Sequence, residues 1–269
     1  MPKKSLGQHF LSDPRILARI ADALPASRGD KVLEIGPGRG GLTATLLARG
    51  FRLVAIERDR DLVPDLGRRF PDLELIEGDA LAVDWPAAVH AATEPRWFLI
   101  GNIPYNITSP LIDKALEARP GPESIVLLVQ KEVAQRLEAR PGTEEYGALS
   151  VGVQAAARVE RLFTVPAGAF WPPPKVASAV VRLTPRDPAH RPADPARFRR
   201  LVVALFGGRR KQLIRAIRVA LALDADLAGR LLAAAGLEPF RRAETVSVEE
   251  FGRLLAAVVD AGLADRLSL

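Results

Sequence analysis

The chain of 269 residues contains no cysteine, one methionine and three histidines. Without cysteine it has no disulfide, no thiolate metal ligand and no cysteine nucleophile, and it suits a reducing compartment. The histidines, His9, His90 and His190, are far apart in the sequence and lack the spacing of metal ligands. We therefore expect no metal site.

Long apolar runs are also missing. The longest, 125–129 and 254–259, are far shorter than the ~20 residues that a membrane span requires. The polar N-terminal segment does not resemble a secretion signal. Because 48% of the residues are hydrophobic and 26% charged, the chain can build a sizeable core. We expect a cytoplasmic protein with no membrane partner.

The net charge of +6 is unevenly placed. Residues 186–220 hold ten lysines and arginines against Asp187 and Asp194, whereas 1–185 are nearly neutral and 221–269 are net acidic. A local basic segment predicts a polyanion partner, and the alternative is a solvated arginine face. The basic side chains with the best placement for phosphate contacts are Arg209, Arg210, Lys211, Arg215 and Arg218.

Short apolar runs alternate with helical patterns over the first two thirds of the chain. This predicts an α/β fold, with a Rossmann-like parallel sheet covered on both faces. The predicted strands are 32–35, 53–56, 73–76, 97–100, 125–129, 149–155 and 177–183; the predicted helices include 42–48, 59–70, 110–118 and 131–139. No helix is predicted between the last two strands, so we expect antiparallel strands at the end of the sheet.

A cluster of prolines, Pro185, Pro188, Pro192 and Pro195, indicates a linker. All predicted elements beyond it are helical, including one that begins at a capping box of Ser247 and Glu250. The expected domains are a Rossmann-like catalytic domain over 1–185 and a small, all-helical RNA-binding domain over 186–269.

A glycine-rich loop follows the first predicted strand. Gly36, Gly38 and Gly41 satisfy the G-x-G-x-x-G pattern of dinucleotide sites. Glu57 follows them at the sequence spacing that a ribose-binding carboxylate has in such sites. Glu34 argues against a pyrophosphate, because a carboxylate disfavours an anion at a helix N-terminus. It suits the cationic end of S-adenosylmethionine. The bland alternative is a tight turn with a surface acid.

Two further segments follow predicted strands. Asp79, with Ala80 beside it, is placed to accept a hydrogen bond from an adenine amino group. Asn102-Ile103-Pro104-Tyr105 suits alkylation of an amino group on an aromatic ring: the Asn102 side-chain oxygen and the Ile103 carbonyl accept its hydrogens. Pro104 stiffens the loop and Tyr105 offers a stacking face. Alone, the tetrapeptide could also be a β-turn.

These blocks together make the chain similar to the ribosomal RNA adenine N6-dimethyltransferase family, specifically its bacterial small-subunit branch. The resemblance spans about residues 5–220. The matching segments are Gln8-His9-Phe10-Leu11, Glu34-Ile-Gly-Pro-Gly, Glu57, Gly78-Asp79-Ala80, Asn102-Ile-Pro-Tyr, Gln130-Lys131-Glu132-Val133, Tyr146-Gly147 with Leu149-Ser150, and Ala169-Phe170-Trp-Pro-Pro-Pro-Lys-Val.

The resemblance implies roles for individual residues. S-adenosylmethionine would contact His9, Leu11, Gly36, Glu57, Asp79 and Asn102. Asn102 and Tyr105 would grip the target adenine, and Phe170 would close on it from the opposite face. The implied substrate is a pair of adjacent adenosines near the 3′ end of small-subunit rRNA in assembling 30S subunits, each receiving two methyl groups. We expect a monomer.

Three alternatives remain open at this point. A large-subunit rRNA methylase of the antibiotic-resistance type would share the catalytic domain. An NAD-dependent oxidoreductase would use the glycine loop but leaves Asn102 and Tyr105 without a role. A ribosome-assembly binding protein would account for the basic segment and is compatible with the enzyme.

Overall fold

The computed structural model describes residues 8–208 and 211–267. Within that part the chain divides into two compact units. The first takes in the residues up to Ala134 together with Val159–Pro185. The second takes in Gln135–Arg158 and the residues from Arg186 onwards.

The strands of the described residues are β1 (Phe10–Leu11), β2 (Lys31–Ile35), β3 (Arg52–Glu57), β4 (Glu74–Glu77), β5 (Trp97–Asn102), β6 (Ile125–Gln130), β7 (Ala157–Val165), β8 (Phe170–Trp171) and β9 (Ser178–Pro185). The α-helices are α1 (Pro14–Asp22), α2 (Gly41–Ala48), α3 (Val63–Arg69), α4 (Trp85–Ala88), α5 (Thr108–Glu117), α6 (Lys131–Glu138), α7 (Ala148–Ala156), α8 (Pro195–Phe206), α9 (Leu213–Leu221), α10 (Ala225–Ala234) and α11 (Val248–Asp260).

A seven-stranded sheet in the order β4-β3-β2-β5-β6-β9-β7 organises the first unit. The pairs from β4 through β6 are parallel, and β9 runs antiparallel to β6. The expectation of a parallel sheet with an antiparallel end is therefore confirmed. Because β2, β3, β4 and β5 are parallel neighbours, their carboxyl ends meet at one edge, where open α/β sheets bind ligands.

The central strands are buried on both faces, which explains their almost continuous apolar sequences. On one face, Leu17 and Ile20 of α1 and Leu46 of α2 belong to the same core cluster as Val32 and Phe98 of the sheet. Each such side chain contributes about 1.5–3 kcal/mol when it is fully buried. This packing holds the loop between β2 and α2 against a rigid layer.

A second, two-stranded sheet joins the N-terminal segment of the first unit to residues Phe170–Trp171. In it β1 pairs antiparallel with β8, with Phe10 opposite Trp171 and Leu11 opposite Phe170. Directly after β1, Asp13 caps α1 by accepting hydrogen bonds from the backbone N–H groups of Arg15 and Ile16, and Pro14 begins the helix. The short segment between sheet and helix is thus fixed at both ends.

The second unit is helical and has its own core. The apolar stripe of α8, with Phe198, Leu201, Val202 and Leu205, is buried as its spacing predicts. The side chain of Tyr146 is also buried there, and its hydroxyl donates to the Val246 carbonyl at 2.8 Å. Burial raises the pKa of this phenol, which therefore stays a neutral donor.

One predicted strand, 149–155, is wrong, because this segment forms the helix α7. A short apolar run does not by its periodicity distinguish a strand from a buried helix. The tertiary partner decides here: Gln154 donates to the carbonyls of Leu137 and Ala139 at 2.8 Å each, at the end of α6. Carbonyls in the last turn of a helix lack partners within that helix, so Gln154 satisfies acceptors that would otherwise be open.

Two other boundaries differ from expectation. Helix α3 begins at Val63 rather than at residue 59, since Pro64 lies in its first turn. Residues 135–158 belong to the same compact unit as the C-terminal helices, which the prediction did not include, although the later boundary between the units does fall at Pro185 and Arg186. The assignment of functions to 1–185 and 186–269 stays a prediction.

The predicted capping box at α11 is confirmed, and it gives a test of the helical unit. Ser247 Oγ accepts from the Glu250 N–H at 3.2 Å, and the Glu250 carboxylate accepts from the Ser247 N–H at 2.8 Å. Ser247→Ala should lower the free energy of unfolding by about 1 kcal/mol, measured by urea denaturation. Ser247→Asp, which keeps an acceptor, should stay near wild type; equal losses in both variants would contradict a capping role.

Candidate active site

A cleft of about 1250 Å³, counted with the open space at its mouth, lies at the carboxyl ends of β2, β3, β4 and β5. The structure brings together there all but one of the residues predicted for cofactor binding and catalysis. The predicted residues that line it are His9, Leu11, Glu34, Gly36, Gly38, Glu57, Asp79, Ala80, Asn102, Ile103, Pro104 and Tyr105.

The glycine loop is tied to the end of β3. The Gly38 N–H donates to Glu57 Oε2 at 2.9 Å, and the Asp59 N–H donates to Glu57 Oε1 at 2.8 Å. Gly38 has φ +59°, a backbone conformation that favours glycine, and a Cβ there would lie 3.0 Å from the Phe10 ring. The carboxylate therefore orients the loop, and it lines the cleft where a ligand would bind.

Glu34 is a buried acid on the floor of the cleft. It is 1% exposed, and the Thr43 hydroxyl donates to its Oε2 at 2.8 Å. Burial raises the pKa of Glu34 to about 8, the Thr43 hydrogen bond opposes this, and the nearby Glu57 adds to it. The group is mostly protonated near neutral pH, and a cation bound beside it would favour the ionised form.

Asp79 follows β4 at the same edge. Its Oδ1 accepts from the Leu81 N–H at 2.9 Å, and its Oδ2 lies 3.4 Å from the Arg58 guanidinium. The side chain is partly exposed and lines the cleft. One carboxylate oxygen of Asp79 is thus hydrogen-bonded within its own turn. The other lies near the Arg58 guanidinium, at the open cleft.

The carboxamide of Asn102 is held by the N-terminal segment. Its Nδ2 donates to the His9 carbonyl at 2.9 Å. Since a carbonyl only accepts, this bond fixes which end of the amide faces His9. Among the described residues no donor reaches Oδ1, which is left as an acceptor beside the cleft. A Cβ on Gly101 would lie 2.7 Å from the Ile35 carbonyl, so only glycine fits before Asn102.

The ring of Tyr105 is positioned from two sides. Its hydroxyl shares a 2.7 Å hydrogen bond with Ser178 Oγ, and the His9 ring stacks on it with centroids 5.9 Å apart. His9 Nδ1 in turn donates to the Pro172 carbonyl at 2.7 Å. Partial burial raises the pKa of Tyr105, which keeps the phenol neutral. His9 therefore contacts both of the predicted adenine-gripping residues.

Phe170 is the one predicted catalytic residue that does not line the cleft. It is 4% exposed and belongs to the core cluster that contains Leu17 and Val180. Its strand partner is Leu11, whose side chain lines the cleft. The Phe170 ring itself packs in the core, and its expected role at the target adenine stays a prediction.

Sequence reasoning missed Arg39, which lies in the glycine loop and lines the cleft. Its guanidinium carbon lies 4.9 Å from the ring centroids of both Phe10 and Trp171. An arginine among glycines was the available signal, but no local pattern links it to aromatic residues that are distant in the chain. The sequence analysis includes Phe10 only within the segment Gln8-His9-Phe10-Leu11 that resembles the family, and gives it no role.

The predicted RNA-binding residues belong to the second unit. Lys211, Arg215 and Arg218 are exposed, the last two on α9. Arg209 and Arg210 lie outside the described residues. Within residues 8–208 and 211–267 no group of three or more His, Asp or Glu side chains could hold a metal ion, and no helix has the length and apolarity to cross a bilayer.

Glu34 predicts a specific pH dependence of stability. Its pKa rises from 4.5 to about 8 on folding, so its contribution is fully present below pH 4.5 and is lost as the pH rises through about 8. Glu34→Gln keeps the shape and removes the titration. Between pH of about 5 and about 8.5, wild type should lose on the order of 2–4 kcal/mol more than the variant, measured by urea denaturation. Parallel losses would show that Glu34 is not the titrating group.

Comparison with known proteins places this geometry in a family. The profile described as ribosomal RNA adenine dimethylase matches residues 2–252. Proteins called ribosomal RNA small subunit methyltransferase A are similar in Anaeromyxobacter sp. (strain K), at 46% identity over 94% of this chain and 92% of the relative, and in Geobacter metallireducens, at 42% over 97% and 96%.

Two solved structures share the fold over nearly the whole chain. A dimethyladenosine transferase from Plasmodium falciparum has a TM-score of 0.79 at 26% identity, covering 95% of this chain and 99% of its own. The 23S rRNA methyltransferase ErmE has a TM-score of 0.69 at 29% identity, covering 93% and 99%. The chain belongs to the ribosomal RNA adenine dimethylase family.

Proposed function

We propose that the chain transfers methyl groups from S-adenosylmethionine to N6 of two adjacent adenosines near the 3′ end of small-subunit rRNA. Each adenosine receives two methyl groups, and the substrate is the assembling 30S subunit. The protein acts as a cytoplasmic monomer. The observation that carries the proposal is the Asn102 carboxamide, which is held by the His9 carbonyl with Oδ1 left as an acceptor beside an acid-lined cleft.

The cleft suits an adenosine carrying a cationic amino-acid end. Glu57 at the end of β3 is placed to accept from the ribose hydroxyls, and Asp79 at the end of β4 is placed for an adenine amino group. Glu34 supplies a buried acid that ionises more readily beside a cation. Glu34 beside the glycine loop does not suit a pyrophosphate, which argues against a dinucleotide.

Asn102 and Ile103 would act on the target amino group. The lone pair of an aromatic amine is delocalised into its ring, and acceptors at its hydrogens hold them out of the ring plane. Asn102 Oδ1 and the Ile103 carbonyl are the acceptors, Pro104 holds the loop, and the free side of Tyr105 takes the base by stacking. S-adenosylmethionine supplies an electrophilic methyl group, so the contribution of the protein is chiefly positioning.

Sequence identity favours small-subunit over large-subunit RNA as the substrate. Relatives with 42–46% identity over nearly the whole chain carry the small-subunit name, whereas the 23S enzyme ErmE is 29% identical. Family membership also leaves an NAD-dependent oxidoreductase without support. Phosphate contacts are assigned to Arg209, Arg210, Lys211, Arg215 and Arg218, and with them an RNA-binding role to residues 186–269.

The direct test uses purified protein and radiolabelled S-adenosylmethionine with under-methylated 30S subunits, and separately with 50S subunits. Label should appear in N6,N6-dimethyladenosine from 30S subunits only. Label from 50S subunits alone would assign the chain to the large subunit. No label from either, with cofactor binding intact, would leave only a binding role in assembly.

Asn102→Ala separates target positioning from cofactor binding. Turnover should fall by roughly 10²-fold or more, because an acceptor aimed at the reacting group is lost. The dissociation constant for S-adenosylmethionine, measured by calorimetry, should change only a few-fold. Equal losses of binding and turnover would sink the distinct role of Asn102. Asn102→Asp lacks the donor to the His9 carbonyl and should also lose activity.

A further inference from the structure

We propose that Trp171 and Arg39 form a stacking site for an unpaired RNA base that flanks the target adenosine. Arg39 lines the cleft, Trp171 lies against Arg39, and neither has a role in the transfer described above. The inference rests on the proposed RNA substrate. It adds a binding site for a second nucleotide. The base of that nucleotide would stack on the Trp171 indole, and its phosphate would lie near the Arg39 guanidinium.

Trp171 differs from the other tryptophans in its exposure. Trp171 is 51% exposed, whereas Trp85 and Trp97 are fully buried. The indole nitrogens of the buried pair donate to the Ala80 and Pro120 carbonyls. A large aromatic ring half open to water, in a chain whose other tryptophans pack inside, is suited to bind something planar.

Arg39 gives the exposed ring a charged neighbour. Its guanidinium lies over Trp171 and over Phe10, at 4.9 Å from each centroid, and within the described residues no carboxylate pairs with it. The contact with two rings restrains the arginine at the cleft. An unneutralised cation beside an open π-face matches a nucleotide, because every base has a face to stack and a phosphate to neutralise.

The backbone links this site to the position proposed for the target adenine. Trp171 pairs with Phe10 across β8 and β1, and the next carbonyl, that of Pro172, accepts from the His9 ring. That ring stacks on Tyr105. Two aromatic side chains are therefore linked to the same N-terminal segment: Tyr105 lines the cleft and stacks on His9, and Trp171 pairs with Phe10. Splayed neighbouring bases in single-stranded RNA are recognised by such pairs.

The fluorescence of the protein reports the contact directly. A base stacked on Trp171 should quench its emission, and the buried Trp85 and Trp97 should not respond. We would titrate the full chain with a single-stranded RNA containing two adjacent adenosines. Quenching is expected in wild type and should be absent in Trp171→Phe. Quenching that persists in the variant, or none in wild type with bound RNA, overturns the inference.

Kinetics with 30S subunits provide the second measurement. Trp171→Ala should raise KM for the subunits roughly tenfold, as expected for one lost stacking contact, with kcat and the affinity for S-adenosylmethionine unchanged. Trp171→Phe should fall between this variant and wild type.

The two measurements separate the inference from the proposed function. An unchanged KM in Trp171→Ala, with wild-type protein methylating 30S subunits, overturns the stacking site and leaves the activity intact. Quenching that is specific to Trp171, with no methylation of either subunit, supports the stacking site and refutes the proposed activity.

Discussion

The hydrogen bonds accepted by the Glu57 carboxylate hold the candidate site together. They join the glycine loop after β2 to the end of β3, through the N–H groups of Gly38 and Asp59. This junction exists because the two strands are parallel neighbours in register, with Ile35 beside Ile56. A shift of register by one residue would turn Glu57 to the other face of the sheet, and the loop would lose its anchor.

His9 adds a second junction, between the N-terminal segment and the loop after β5. Its carbonyl holds the Asn102 amide, its ring stacks on Tyr105, and its Nδ1 donates to the Pro172 carbonyl. Three short segments distant in sequence thus restrain one another around the acceptor proposed for the target. Side chains held by packing and hydrogen bonds in this way need little rearrangement when a substrate binds.

Burial divides the acids of the cleft by role. Glu34 and Glu57 both have raised pKa values because they are desolvated, but Glu57 receives backbone hydrogen bonds that favour its charged form. Asp79 remains partly exposed beside Arg58. One cleft therefore offers a mostly neutral acid, a hydrogen-bonded carboxylate and an ion-paired carboxylate. This variety suits a ligand with a cationic end and a neutral nucleoside.

The sequence alone determined the parallel sheet and the acids and loops at the ends of its strands, since these follow from local apolar runs and from loops at one edge. His9 and Leu11 were expected in the cleft only through the family resemblance. It did not determine the partners of side chains distant in the chain. The run 149–155 forms a helix in which Gln154 donates to carbonyls at the end of α6, and Phe170 packs in the core with Leu17 and Val180. The contact between Arg39 and Trp171 likewise joins residues that are distant in the chain. Contacts of this kind depend on the closure of long loops, which no local pattern of residues encodes.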